Sequence, residues 1–259
     1  MIIIKQRLNK ARGCLFYMPY RKTFFEKNQP AHIISRALID VFRDKEECYR
    51  FVFQFYAANL GKRGSNVRIR DAIKAGQALL QGENIPSSFV AKEHPPLVDL
   101  LDFSLVINHY HFYLVPNIEN AIPILTQKLN TGFAKSFNLT HNRKDAVFGS
   151  RYKGVVVKTD FQSDAVSRYV SIINPLDVFQ PGWREDGLRD IEKALDFLKD
   201  YEFSSFPDKA GERNAKILAP DEILKRYSLI DSPDNKKKFQ EFAKEFLKER
   251  KSYPSYFLE

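Results

Sequence analysis

Disulfides and cysteine metal clusters are the first things this chain lacks. Its 259 residues hold two cysteines, Cys14 and Cys48, with no CxxC pair. A disulfide framework and a cysteine-based zinc site are therefore not expected, and a reducing compartment is. Long apolar runs are missing as well. None approaches the roughly 18 residues of a membrane span, and Lys5 interrupts the opening Met1 to Ile4 before a signal-peptide core can form. The expectation is a soluble, cytoplasmic protein with no membrane association. Acid is absent at the start: residues 1–25 carry Lys5, Arg7, Lys10, Arg12, Arg21 and Lys22 and no Asp or Glu. Such a segment suits a basic arm resting on phosphates or, equally, a solvated tail.

What is present points to a globular fold. Hydrophobic residues make up 44% of the chain and charged residues 28%, enough apolar surface to offset chain entropy and to exclude a disordered or collagen-like protein. The length admits one elaborated domain or two small ones. A formal net charge of +9 fits a polyanionic partner or simple solubility. The 22 Phe and 12 Tyr offer stacking faces, although most of the Phe belong in a core.

Along the chain, AHIISRAL (31–38) predicts a strand, followed by a helix from near Asp44, where a charged first turn precedes Phe51, Val52 and Phe55. The stretch from Gly61 to Pro96 holds Arg63, Arg68, Arg70 and Lys74, then QGENIPSS and Pro95-Pro96, and reads as a basic helical insertion ending in a loop. LLDFSLVINHYHFYLV (100–115) predicts two strands meeting near Asn108. A helix over 118–137 follows from the apolar spacing of Ile122, Leu125, Leu129, Phe133 and Phe137, with positions to spare for a dimer contact. A basic loop (141–154) leads into the strand signal Val155 to Val157, then a helix from Ser163 to Ile173 stopped by Asn174-Pro175. Helices near 191–198 and 236–250 close the chain. Strands alternating with two long helices give an α/β layer of about 150 residues with additions on both sides.

His109 and His111 carry the chemistry of this reading. Residues two apart in a strand project from one face, so both imidazoles can reach one metal ion. Metal or phosphate chemistry and a purely structural pair remain equal alternatives on the sequence alone, and two ligands do not complete a site. Downstream, SDAVSRYVSIINP places Tyr169 on a helix. A tyrosine packing its ring on the sheet is the plainer reading. Beside the histidine pair, it is also a nucleophile opposite a metal-bound phosphate, since a divalent cation can stabilise its oxyanion and polarise the phosphate.

Taken in order, AHIISRAL, NHYHFYLVP, LTQKLNTGFAKSFN, FGSRYKGVVV, RYVSIINP and YEFSSF resemble the single-tyrosine HUH transposases, including the REP-associated tyrosine transposases. The resemblance runs from about residue 20 to 215. It implies an α+β fold, a ferredoxin-like antiparallel sheet with helices on one face, here with a basic insertion and a helical C-terminal extension. The implied domains are an arm over 1–25, a catalytic domain over 26–200 and the extension over 201–259. The implied activity is metal-dependent (Mg²⁺ or Mn²⁺) cleavage and joining of single-stranded, hairpin-containing DNA by a homodimer. His109 and His111 become metal ligands and Tyr169 the nucleophile of a 5′-phosphotyrosine link, leaving a free 3′-hydroxyl.

The chain departs from that pattern where a Gln or Asn is expected four residues after the tyrosine, because Ile173 stands there. Asn174 comes five residues on, about 100° round a regular helix, and a π-bulge would realign it. Asn174 is therefore the expected third metal ligand, with Gln162 as the fallback. The family's proline before the Asn-His pair is replaced by Val106-Ile107, which bears on turn geometry. Arg143, Lys144, Arg151 and Lys153 form the expected phosphate cradle, or a solvated basic loop. Tyr152 and Phe148 can stack bases or anchor the loop. Arg36 and Arg168 complete the expected DNA contacts. Tyr110 and Phe112 alternate away from the histidines and belong in the core. His32, His94 and His141 receive no role, and Asp102 is a candidate support for a histidine. Two rival functions stand beside this one: an inert hairpin-binding module, and a phosphoesterase that activates water instead of tyrosine.

Overall fold

A computed structural model describes residues 25–227 and 233–249. The basic arm expected at the N-terminus lies, but for Phe25, outside the described residues. Four strands form the main sheet: β1 (Ala31–Arg36), β4 (Val98–Val106), β5 (His109–Pro116) and β6 (Lys153–Val156), in the order β4-β5-β1-β6 with every pairing antiparallel. With α1 (Lys45–Leu60) after β1 and α3 (Ala121–Thr140) after β5, this is the ferredoxin-like βαββαβ arrangement.

Alternation along the strands divides their side chains between two cores. Ile33, Phe103, Leu105, Tyr110, Phe112 and Leu114 point to one side and pack with Phe51, Phe55, Leu129 and Phe133 of α1 and α3. Tyr110 and Phe112 are core, as expected. The opposite side presents Tyr113, Val115 and the histidines. It is covered by α4 (Asp160–Arg168), a π-helical turn (Tyr169–Ile173), α5 (Asn174–Phe179), α7 (Ile191–Asp200), α8 (Phe206–Ala210), α9 (Asp221–Tyr227) and α10 (Pro233–Glu249). The α1 and α3 layer is the single helical face expected; the later helices add a second layer over the other face.

α1 starts where a cap permits it, the Asp44 carboxylate accepting the Glu46 amide at 2.9 Å. The basic insertion is a helix, α2 (Ile69–Leu80), flanked by two short paired strands, β2 (Gly61–Arg63) and β3 (Val90–Lys92). α2 crosses α1 so closely that a Cβ on Gly76 would lie 1.9 Å from the Tyr49 carbonyl oxygen. The apolar stripe of α3 is used on the core, with Ile124 and Leu139 left exposed.

The segment after residue 200 is joined to the sheet. Leu105 donates its amide to Phe203 and Ser205 donates to Phe103, so residues 203–205 line the free edge of β4. Arg213 clamps the segment through Asp208, 2.6 Å away, and the Glu202 carbonyl at 2.5 Å. Beneath it, the Asp102 carboxylate accepts from Ser205 at 2.7 Å, from Ser167 at 2.8 Å and from Lys209 at 3.0 Å. Asp102, expected to support a histidine, instead ties α4 and α8 to β4. No helix among the described residues is long and apolar enough to cross a membrane.

Candidate active site

Register brings one more histidine to the pair than spacing suggests. Across the β1/β5 pairing, His32 faces Tyr113, Ile34 faces His111 and Arg36 faces His109, so all six share one face of the sheet. His32 Nε2 lies 3.0 Å from His111 Nδ1, and their rings stack with centroids 5.2 Å apart. His109 stands edge-on to His111 at 4.9 Å. His32 was given no role from sequence; its partner lies 79 residues away, a separation that no spacing rule reaches.

Burial keeps these rings neutral. It lowers His32 to about 3, and lowers His109 to about 4 with help from the positive charge of Arg36 and Arg184. His111 is also pushed well down, first by burial and then by its neighbours. A neutral imidazole is the form that binds a metal.

Tyr169 closes over this face from the helical layer, its ring edge-on to His111 at 5.6 Å and to His32 at 5.8 Å. It is 4% exposed. The helix does not stop at Asn174-Pro175. It widens into the π turn Tyr169–Ile173, with the Asn174 amide donating to the Tyr169 carbonyl, and resumes as α5. Pro175 then falls in the first turn of α5, where a missing amide hydrogen is tolerated. The bulge that realigns Asn174 with Tyr169 is present.

Its side chain has a different partner from the one expected. Asn174 Oδ1 accepts from Arg184 Nη2 at 2.9 Å, and Arg184 Nη1 donates to the Tyr169 hydroxyl at 3.3 Å. Arg184 stands in α6 (Trp183–Asp186), entered through Gly182 at φ 83°. Asp177 holds it from α5, accepting from Nε at 3.0 Å and from Nη2 at 2.7 Å, and accepts from the Trp183 indole at 2.9 Å. Arg184 is not legible from the sequence, where its one signal is a lone Pro-Gly-Trp-Arg turn shortly after the proline-marked helix. The fallback Gln162 is engaged at the start of α4, where its Oε1 accepts the Lys158 amide at 2.8 Å.

The donor set suits a cation with two nitrogen ligands. His109 Nδ1 lies 2.9 Å from Asn108 Oδ1, an acceptor, so Nδ1 carries the hydrogen and Nε2 keeps its lone pair. His111 Nε2 is buried with no hydrogen-bond partner, as is Asn174 Nδ2. With His111 Nδ1 turned to His32, Nε2 is the atom left for a ligand. Among the described residues, no group of three or more His, Cys, Asp or Glu is arranged to hold a metal ion. A third donor would thus come from an amide, water or substrate.

The expected DNA contacts divide between two places. Arg36 and Lys153 are exposed, and register puts both on the histidine face, Lys153 opposite Ile34 and Arg36 opposite His109. Lys144, Arg151 and Tyr152 line an open cleft of ≈ 1080 Å³ against α3, across the sheet from the histidines. Arg143 lies 3.7 Å from Asp145. Tyr152 packs near Phe25, and Phe148 packs near Tyr110 and Phe133, so both rings anchor the loop. Arg168, expected on DNA, pairs with Asp164 and lies over the Phe242 ring of α10 at 5.4 Å.

Fold and side chains together define a ferredoxin-like α+β protein with a histidine pair beneath a helix-borne tyrosine. No family model matches the chain, and no curated protein does. Among solved structures, the chain is similar to a REP-associated tyrosine transposase bound to a REP hairpin. The TM-score is 0.41 at 12% identity, covering 78% of this chain and 91% of that one. At that depth the likeness is one of outline.

Proposed function

We propose that the protein is a transposase-like endonuclease and strand transferase. It acts on single-stranded, hairpin-containing DNA through a 5′-phosphotyrosine at Tyr169. One observation carries this reading: a π turn sets the tyrosine against His111, whose ring stands edge-on to His109 on the same strand face, and both of these neutral histidines have Nδ1 within hydrogen-bonding distance of a partner. His109 and His111 would hold Mg²⁺ or Mn²⁺, which when bound polarises the scissile phosphate. The Tyr169 ring, packed on His32 and His111, holds its hydroxyl at a fixed place above that face. Arg36 and Lys153 steer and seat the phosphodiester backbone from the rim of the same face. The Lys144 and Arg151 cleft takes duplex or flanking phosphates without base readout. The protein acts in the cytoplasm as a homodimer.

A second reading has one observation in its favour. Asn174 Oδ1 already accepts from Arg184, which suits a hairpin-binding module that lacks nuclease activity. Purified protein is incubated with labelled single-stranded hairpins from the flanks of its own gene, with Mn²⁺ or chelator, and run on denaturing gels beside Tyr169→Phe. A metal-dependent covalent band, lost in the variant, is expected. Cleavage without a band would indicate the water-activating phosphoesterase, and binding without cleavage the inert module.

A further inference from the structure

Arg184 is the strongest group near Tyr169 that the reading above leaves without a task. Its guanidinium is built into place. Both oxygens of Asp177 and the oxygen of Asn174 hold it, and its carbon lies 5.2 Å from the centre of the Tyr169 ring. Nη1 reaches the phenolic oxygen at 3.3 Å. The π turn is what lets one guanidinium meet Tyr169 and Asn174, five residues apart, at once. A solvated surface arginine needs none of this; here two side chains of α5 and the αL turn at Gly182 fix a single orientation.

We infer that Arg184 is a catalytic residue, a fixed cation that stabilises the Tyr169 phenolate and the charge developing on the phosphate it attacks. The inference rests on the tyrosine-transfer reading. Tyr169 releases its phenolic proton to water, and Oη bonds to phosphorus as the bond from phosphorus to the 3′ oxygen breaks. That oxygen takes a proton from water and leaves as a 3′-hydroxyl, with the 5′ phosphate on the enzyme. Attack by a 3′-hydroxyl reverses the sequence and restores the phenol. Arg184 stays protonated throughout, because a guanidinium does not titrate in this range. A preorganised donor of this kind needs no rearrangement as charge develops. The geometry also explains why Ile173 is tolerated four residues after the tyrosine: the polar group of the helix serves the arginine.

Two measurements test this. In the first, single-turnover formation of the covalent band is followed against pH in wild type and Arg184→Ala, with and without added guanidinium. The expected result is a fall of about 100-fold near neutral pH, with the profile displaced to higher pH and partial rescue by guanidinium. Rates within threefold of wild type would overturn the inference. So would a loss that guanidinium does not rescue, with the pH profile unmoved and the thermal melt intact, since that is the behaviour of a structural clamp.

The second uses ¹³Cζ-tyrosine NMR without DNA or metal, the Tyr169 signal being assigned with Tyr169→Phe. Its titration midpoint should rise by about one pH unit or more in Arg184→Ala, and an unchanged midpoint would overturn the inference. If wild type forms no covalent band, the tyrosine-transfer reading fails, and the NMR titration alone decides whether Arg184 stabilises a phenolate.

Discussion

The two faces of the main sheet are built from the same strands and follow opposite rules. On the side of α1 and α3, β1 and β5 contribute Ile33, Tyr110, Phe112 and Leu114, and the Tyr110 hydroxyl among them donates to Asn130 at 2.9 Å. On the other side the alternate residues are His32, His109 and His111, with Asp102 on β4, and buried nitrogens of His32 and His111 lack hydrogen-bond partners. Orphaned buried polar atoms are costly and rare unless a ligand satisfies them. One face is therefore almost wholly apolar along β1 and β5, the other sets buried polar groups into its own apolar core, and the period-two pleat keeps them apart.

The core face loses most at Phe112. This ring is 2% exposed and packs against Phe51, Phe55 and Tyr110. Phe112→Ala should cost about 3–5 kcal/mol in a denaturant melt. On the other face the largest loss comes from a charge rather than a cavity. Lys209→Ala strands the buried Asp102 carboxylate and should cost about 3 kcal/mol by the same melt. A difference in heat-capacity signature is not expected to separate the two; the pairing of each with its partner in a double-mutant cycle is.

A smaller effect sharpens the functional side. His32→Phe keeps a ring against Tyr169 and His111 and removes the bond to His111 Nδ1. Mn²⁺ binding measured by calorimetry should weaken about tenfold, or about 1.4 kcal/mol. Unchanged affinity would make His32 a packing residue. Back on the core face, Asp44→Ala removes the α1 cap and should cost about 1 kcal/mol in thermal stability.

How much of this was legible follows from how far each signal reaches. The strands, their turn near Asn108 and the α3 stripe come from local periodicity, and the structure has them within a few residues. The His109 and His111 pair was legible for the same reason, as a relation within three residues; the Tyr169 to Asn174 bulge was expected only through the family resemblance, which calls for a polar residue on the tyrosine's helix face, while local pattern alone stops the helix at Asn174-Pro175. His32 was not legible, because its place beside His111 depends on pairing between strands that are far apart in sequence. Arg184 was not, because its contact with Tyr169 exists only after the π turn and the Gly182 turn have both formed. The strand-like edge at 203–205 was visible as a motif, YEFSSF, yet nothing local tells that it lines β4. At Arg168, too, sequence and space part. Its sequence neighbour is the tyrosine, and its spatial neighbours are Asp164 and the phenyl rings of α10.

The smallest expected change in stability falls at the residue with the largest expected change in function. Tyr169→Phe deletes one oxygen and leaves the ring packed against His32 and His111. The bond it loses to Arg184 is long, at 3.3 Å, and Arg184 keeps Asp177 and Asn174 as acceptors. A cost of about 0.5 kcal/mol is expected, at the low end for a hydrogen bond, with the covalent band gone. A melt lowered as far as that of Phe112→Ala would mean that Tyr169 is core, and that the histidine face differs from its opposite only in polarity. A melt within a degree or two of wild type, beside a lost band, would separate stability from chemistry at a single atom.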